Sequence, residues 1–279
     1  MAEPEGEQGC LLRDEPTELE RLDKTQAVVK AAMNDRLILA PLDLSKPDLC
    51  ILDSATANGA WLRDISTHLK SPYALVGADI MTSFFPSKAP PHTALIKQDF
   101  QVPWPTALYE TFDLVHQRAA LARSRSIPPK ECVSNLTALV KPGGWIQLME
   151  MDLTETDNDG PAAKDFLRLV VSMLEKGGSG LTFNIPGTMV AWLKDAELDE
   201  VREEMVSVPY GKSCSSEEIA ILSTEASVQN VNFVCEAATR LGVDRPEGFV
   251  GSLPERYRQE IETRGGEMRL IVAMGRTSM

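Results

Sequence analysis

Five acidic or imidazole side chains follow short apolar segments, and these groups are suited to ligand binding and to proton transfer. Carboxylates accept hydrogen bonds from hydroxyl and amino groups, and an imidazole takes up a proton near neutral pH. Parallel strands present their carboxyl ends at one edge of a sheet, so these groups would face a common pocket there. The five residues are Asp53, Asp79, Asp99, His116 and Glu150.

The turn after the first of these acids consists of small residues. The segment Asp53-Ser-Ala-Thr-Ala-Asn-Gly59 leads into a helical pattern that starts at Trp61. Small side chains let the backbone approach a ligand closely. A strand, an acid, a tight turn and a helix, in this order, are typical of a nucleotide pocket in an open α/β sheet.

The position of the acid indicates the kind of nucleotide. A dinucleotide site has GxGxxG in the turn and its ribose-binding acid about 20 residues later. Here Asp53 precedes the turn, and Asp79 closes the next apolar run, ALVGADI. Carboxylates facing the pocket would repel a polyphosphate and favour an amine. The pattern therefore points to S-adenosylmethionine, an adenosine with an amino-acid tail.

The elements that must position these residues alternate between strand and helix over about 100 residues. This alternation predicts a doubly wound parallel sheet. In LVKPGGWIQL, Gly143 and Gly144 would adopt the left-handed conformation that ends a helix, and Pro142 would prevent the helix from continuing. The predicted strands of this part are about 48–53, 74–79, 94–97, 112–115 and 145–149, with helices at about 60–70 and 128–141.

The alternation stops after Glu150. Helices are predicted at about 159–177, 185–198, 215–241 and 246–265, and strands at 201–210 and 268–274. The long helix at 215 would start with a capping box of Ser215 and Glu218. A last strand lying antiparallel beside the sixth would complete a sheet of seven.

The amino-terminal part is predicted to consist of two segments. Residues 1–17 are rich in Glu, Pro and Gly and predict a disordered acidic arm. Residues 18–47 predict a helical extension of one or two amphipathic helices. The extension would pack against the sheet or a partner subunit, or would form a lid over the cofactor, and it makes a homodimer plausible.

Bulk properties exclude several classes of function. The net charge of −13 over 279 residues argues against binding to nucleic acid or an anionic membrane, so a small-molecule substrate is expected. No apolar run is long enough to predict a membrane span. Five widely spaced cysteines without a CxxC pair predict reduced thiols in a cytoplasmic chain, with no metal site.

Several segments together resemble a known family. ILDSATANGAWLRD, GADI, FDLVHQR and LVKPGGWIQLME resemble the fungal secondary-metabolite methyltransferases, and within them the group typified by the gliotoxin-cluster N-methyltransferase. The resemblance implies a Rossmann-like, seven-stranded class I methyltransferase sheet in residues 48–279. It also implies helical cap insertions at about 153–183 and 211–245. The turn departs from the family's glycine-rich form at Ala55 and Ala57.

The resemblance implies roles for single residues. Asp53 would anchor the amino-acid end of the cofactor, Asp79 its ribose, and Asp99, beside Phe100, its adenine. Asp53 and Asp99 could instead only cap their own turns, and Asp79 could be a solvated acid of a loop. The predicted cofactor-binding residues are Asp53, Ala55, Asn58, Gly59, Trp61, Asp79, Ile80, Asp99, Phe100, His116 and Gln117.

His116 and Glu150 are the predicted catalytic residues, as bases that act only if the acceptor must lose a proton. The acceptor would be an O or N atom of an apolar natural product. Two other functions stay open: a rearrangement or cyclisation on the same fold and cofactor, and a regulatory role without catalysis.

Overall fold

The computed structural model describes residues 15–177 and 184–279. Seven strands form one sheet in the order β3-β2-β1-β4-β5-β7-β6. Strands β1 to β5 run parallel, and β7 is antiparallel to both of its neighbours, β5 and β6. The strands are β1 (Leu49–Ser54), β2 (Tyr73–Asp79), β3 (Thr93–Lys97), β4 (Phe112–Arg118), β5 (Val140–Met151), β6 (Asp199–Tyr210) and β7 (Gly266–Arg276). The predicted seven-stranded, doubly wound sheet is confirmed.

The strand order reverses between β1 and β4. Strands β2 and β3 lie on one side of β1, whereas β4 and β5 lie on its other side. An open α/β sheet forms its ligand crevice at such a switch point, outside the carboxyl ends of the strands. The helices are α1 (Glu15–Ala32), α2 (Ala60–Ser66), α3 (Pro129–Thr137), α4 (Pro161–Gly177), α5 (Thr188–Asp195), α6 (Glu217–Arg240) and α7 (Phe249–Thr263).

Alternation along the strands gives the sheet two buried faces. Ile51 and Leu114 belong to the core on one face, together with residues 37–40 of the segment after α1. Leu52 and Val115 belong to the core on the other face, with α3, α4 and α6. Both faces are apolar because helices or ordered chain cover both sides of a parallel sheet.

The KPGG segment differs from its prediction. Helix α3 ends at Thr137, and Lys141–Gly144 lies inside β5. Phe112 pairs with Val140 and Leu114 with Trp145, so these residues form a bulge opposite β4, and Gly143 has a φ of +76°. A residue before proline avoids the helical region, so Lys141 cannot extend α3. The glycine is needed for the bulge and not for a helix exit.

The amino-terminal extension is one helix followed by irregular chain. Helix α1 begins at Glu15 and ends at Ala32, and residues 33–48 form no second helix. Residues 1–14 of the predicted acidic arm lie outside the described residues. Lys24 of α1 lies 2.6 Å from both Glu20 and Glu225, which ties this helix to α6.

Helix α6 begins one residue later than the capping box predicts. Ser216, and not Ser215, is its N-cap, and the Ser216 hydroxyl accepts a hydrogen bond from the backbone N–H of Ile219. Helices α4 and α6 lie in the two predicted insertions, at 153–183 and 211–245, and pack on each other and on α7. Residues 178–183 of the first insertion lie outside the described residues.

Candidate active site at the carboxyl edge of the sheet

In the turn between β1 and α2, every second residue from 55 to 59 has a positive φ angle. Ala55, Ala57 and Gly59 have φ angles of +56°, +50° and +68°. The two alanines adopt the left-handed conformation that a glycine would take at no steric cost. The turn thus keeps the shape of a glycine-rich loop, while each alanine bears a conformational cost of about 1–2 kcal/mol.

We therefore expect Ala57→Gly to stabilise the protein by about 0.5–1 kcal/mol. Relief of the left-handed strain outweighs the larger entropy of the unfolded glycine chain. Ala191→Gly is the matched control, since Ala191 is exposed in the interior of α5, where glycine costs about 1 kcal/mol of helix propensity. Urea unfolding of both variants measures the two changes. A loss of stability in Ala57→Gly equal to that in Ala191→Gly would rule out strain at residue 57.

Asp79, the last residue of β2, fixes this turn. Its Oδ2 accepts a hydrogen bond from the backbone N–H of Ala57 at 2.8 Å, and its Oδ1 accepts one from that of Met81 at 2.8 Å. Burial raises the pKa of Asp79, and these two N–H groups only partly offset the increase. Each oxygen accepts one hydrogen bond and keeps a second lone pair.

Asp53 and His116 form a buried pair at the switch point. The strand register places them opposite each other, and His116 Nδ1 lies 2.7 Å from Asp53 Oδ1. A carboxylate only accepts hydrogen bonds, so Nδ1 carries the proton and Nε2 is an acceptor. The hydroxyl of Thr56 donates to the other oxygen of Asp53 at 2.7 Å. Both oxygens of Asp53 are therefore engaged within the protein.

Trp61 covers the imidazole of His116. The two rings are stacked, with centroids 3.9 Å apart and planes inclined by 2°. His116 is only 1% exposed, and its Nε2 has no partner among the described residues. Burial lowers the pKa of His116, although its hydrogen bond to Asp53 acts in the opposite direction. The ring is thus a neutral, oriented acceptor.

Gln117 is the next residue of β4 and faces the other side of the sheet. Its Oε1 accepts a hydrogen bond from the hydroxyl of Ser54 at 2.9 Å. Its Nε2 is buried and has no partner within the described part of the chain. A buried amide donor without a partner is costly, and such a group calls for an explanation, such as a ligand.

The predicted adenine-binding residues lie after β3. Asp99 Oδ1 accepts a hydrogen bond from the backbone N–H of Gln101 at 2.9 Å, and no described residue donates to Asp99 Oδ2. Phe100 is buried among the core residues of one sheet face. Ile80 follows Asp79 directly and is half-buried.

Helix α1 contributes residues to this edge that the sequence analysis does not identify. Asp23 accepts hydrogen bonds from the Asn58 side chain in the turn and from Arg63 of α2, both at 3.0 Å. Gln26 accepts one from Arg118, at the end of β4. Helix α1 therefore packs on the turn, on α2 and on α6, and a lid over the cofactor stays a prediction. No spacing in the sequence indicates these contacts, since they join residues 35 or more positions apart.

Glu150 is buried near the carboxyl end of β5. Its Oε1 accepts hydrogen bonds from the backbone N–H groups of Ala120 and Leu121, at 3.0 and 2.9 Å. Burial nevertheless raises its pKa from 4.5 to about 7. A carboxyl group with a pKa near neutrality can take up or release a proton under ordinary conditions. Glu150 lies on the same sheet face as Gln117, whereas His116 lies on the other.

The structure thus collects the predicted cofactor-binding residues at one edge of the sheet, at the ends of β1, β2, β3 and β4. Among the described residues, no group of three or more histidine, cysteine or acidic side chains could hold a metal ion. Within residues 15–177 and 184–279, the helices are too short or too polar to cross a membrane.

Proteins of similar sequence come from fungi. The N-methyltransferase gliN of Aspergillus fumigatus is 37% identical over 287 residues, which covers 98% of each chain. The N-methyltransferase sirN of Leptosphaeria maculans is 37% identical and covers 97% of this chain and 95% of its own. The methyltransferase psoC of Aspergillus fumigatus is 36% identical over 92% of this chain and 93% of its own. No family model matches the chain.

Solved structures share the fold at low identity. A putative methyltransferase of Bacillus halodurans matches with a TM-score of 0.50 and 17% identity, over 90% of this chain and 99% of its own. Phosphoethanolamine N-methyltransferase 2 of Haemonchus contortus, in complex with S-adenosyl-L-methionine, matches with a TM-score of 0.53 and 14% identity, over 96% of this chain and 61% of its own. With full-length relatives at 36–37% identity, the chain belongs to the fungal secondary-metabolite methyltransferases, and it is a methyltransferase.

Proposed function

We propose that the chain transfers a methyl group from S-adenosylmethionine to a nitrogen atom of a small molecule. The observation that carries the proposal is the hydrogen bond that the backbone N–H of Ala57, in the turn, donates to Asp79. It places a buried carboxylate with unused lone pairs directly beside a glycine-like loop at the switch point of the sheet. Relatives named N-methyltransferases support nitrogen as the acceptor atom.

The unused hydrogen-bonding groups at this edge fit the parts of the cofactor. Asp79 accepts from the ribose hydroxyls, and Asp99 Oδ2 accepts from the adenine amino group beside Phe100. Gln117 Nε2 donates to the carboxylate of the amino-acid tail, which satisfies its buried amide. Each oxygen of Asp53 accepts one hydrogen bond, from Thr56 or from His116, and keeps a second lone pair, with which Asp53 accepts from the ammonium group of the tail.

When bound, the cofactor supplies an electrophilic methyl group on a sulfonium. The protein aligns the acceptor with it and keeps water away. Glu150, with its pKa of about 7, removes the proton that a neutral nitrogen must lose. His116 is the second candidate base, but its ring is covered by Trp61.

We expect Asp79→Ala to weaken binding of S-adenosylhomocysteine by about 1–3 kcal/mol, or 5- to 150-fold in Kd, because buried ribose hydroxyls lose their acceptor. Isothermal titration calorimetry measures the change. Asp43→Ala is the control, since Asp43 is an exposed acid in the loop before β1. An unchanged Kd in Asp79→Ala would remove Asp79 from the ribose role.

A further inference from the structure

Arg118, the last residue of β4, is a cation without an ion pair in the described part of the chain. Its Nη2 donates a hydrogen bond to Oε1 of Gln26 in α1, at 2.8 Å. Gln26 is neutral, so this contact leaves the positive charge uncompensated. A guanidinium also has further N–H groups, arranged in a plane that suits a carboxylate.

The side chain of Arg118 is withdrawn from water. The residue is half-buried, and burial lowers the pKa of its guanidinium. An arginine nevertheless stays charged in a protein. Because a buried cation without an anionic partner is costly, such a group calls for an anion that the chain itself does not supply.

The two acids that attract Arg118 are already engaged. Asp53 and Asp64 act on its guanidinium by charge alone, without an ion pair. Asp64 accepts hydrogen bonds from Gln26 and Lys30, at 2.7 and 3.2 Å. Asp53 already accepts two hydrogen bonds within the protein. Neither acid therefore neutralises Arg118 directly.

The position of Arg118 on β4 places it beside the proposed site of the amino-acid tail. Alternate residues of a strand share a face, so Arg118 lies on the same face as His116, roughly 7 Å further along the strand. The strand register places His116 opposite Asp53. The ammonium and the carboxylate of the tail are attached to one carbon atom. An ammonium held by Asp53 thus brings the carboxylate within reach of a long side chain that begins at residue 118.

We propose that Arg118 binds the carboxylate of the amino-acid tail of S-adenosylmethionine and thereby selects the intact, zwitterionic tail. The inference rests on the proposed function and adds the residue that provides the positive charge at this site. Gln117 donates one neutral hydrogen bond to the same carboxylate, whereas Arg118 compensates its charge. Asp53 and Arg118 thus present opposite charges to the two ends of a zwitterion. A ligand that keeps the ammonium but lacks the carboxylate leaves Arg118 uncompensated.

Three ligands separate the contribution of the carboxylate. S-adenosylhomocysteine has the whole tail, its decarboxylated analogue keeps the ammonium but lacks the carboxylate, and methylthioadenosine lacks the tail. Isothermal titration calorimetry of the full chain measures the three dissociation constants. We expect the wild type to bind S-adenosylhomocysteine about 10- to 100-fold more tightly than the decarboxylated analogue, because the analogue loses a charge-assisted hydrogen bond to a buried cation.

Substitution of Arg118 should remove this preference without affecting the nucleoside. In Arg118→Gln the two ligands that bear an ammonium differ by less than about 3-fold, and Arg118→Lys recovers part of the preference because it keeps the charge. The affinity for methylthioadenosine is the same in both variants as in the wild type, which a general loss of structure would not allow. Arg36→Gln, a change at an exposed arginine after α1, keeps the wild-type preference.

Equal affinity of the wild type for S-adenosylhomocysteine and its decarboxylated analogue would overturn the proposal, and this comparison needs no variant. An Arg118→Gln protein that keeps the preference would also overturn it. So would parallel losses of all three ligands in that variant, since Arg118 would then act only on the structure. A wild type that binds neither S-adenosylhomocysteine nor methylthioadenosine would instead contradict the proposed function, on which the role of Arg118 depends.

Discussion

Truncation of His116 to alanine is expected to lower the free energy of unfolding by about 3–5 kcal/mol. The substitution leaves the buried carboxylate of Asp53 with Thr56 as its one remaining side-chain partner among the described residues, and it removes the ring on which Trp61 is stacked. Losing the partner of a buried charged group is among the largest single-residue effects on stability. Urea unfolding at pH 8 measures the loss.

A double-mutant cycle identifies the pair as the cause. If Asp53 and His116 stabilise the fold through each other, the variant carrying both Asp53→Ala and His116→Ala loses about 1–3 kcal/mol less than the sum of the two single losses. Additive losses would mean that His116 acts through packing alone.

Glu150→Gln should make the protein more stable than the wild type at alkaline pH. The pKa of Glu150 is raised in the folded state from 4.5 to about 7, so the folded protein holds this proton more tightly than the unfolded chain. The resulting stabilisation is complete below pH 4.5 and is lost as the pH rises through about 7. Glutamine keeps the oxygen that accepts from Ala120 and Leu121, but it never ionises.

The wild type and the glutamine variant should therefore be about equally stable at pH 4 and differ by about 3 kcal/mol at pH 8, as the shift in pKa requires. Chemical unfolding of both proteins across this pH range measures the difference in stability. The contributions of all other titrating groups cancel in this difference. Glu155→Gln is the control, because Glu155 is paired with Arg168 near the surface. A constant difference between the wild type and Glu150→Gln would show that Glu150 does not titrate in this range.

Local patterns predict the sheet because each parallel strand is an apolar run followed by a polar residue. Asp53, Asp79 and His116 are found by this rule, and the strand register brings Asp53 and His116 together. Their hydrogen bond joins residues 63 positions apart. The sequence alone therefore identifies both residues but not their pairing.

Other features depend on contacts that no local pattern encodes. Helix α1 reaches the turn through Asp23, and Gln26 of the same helix pairs with Arg118. The edge-to-face ring contact of Phe166 in α4 with Tyr257 in α7 also joins residues far apart in the sequence. The prediction of a helix end at the KPGG segment is wrong because its proline and glycines suit a helix end and a strand bulge equally well. The pairing of β4 with β5 decides between them.

A crystal structure of the complex with S-adenosylhomocysteine would show whether the cofactor binds at this edge of the sheet. We expect the adenosine above the turn 53–59, with both ribose hydroxyls within hydrogen-bonding distance of Asp79 and the adenine amino group at Asp99. Density for the ligand at another part of the fold, or a ribose that makes no contact with Asp79, would contradict it.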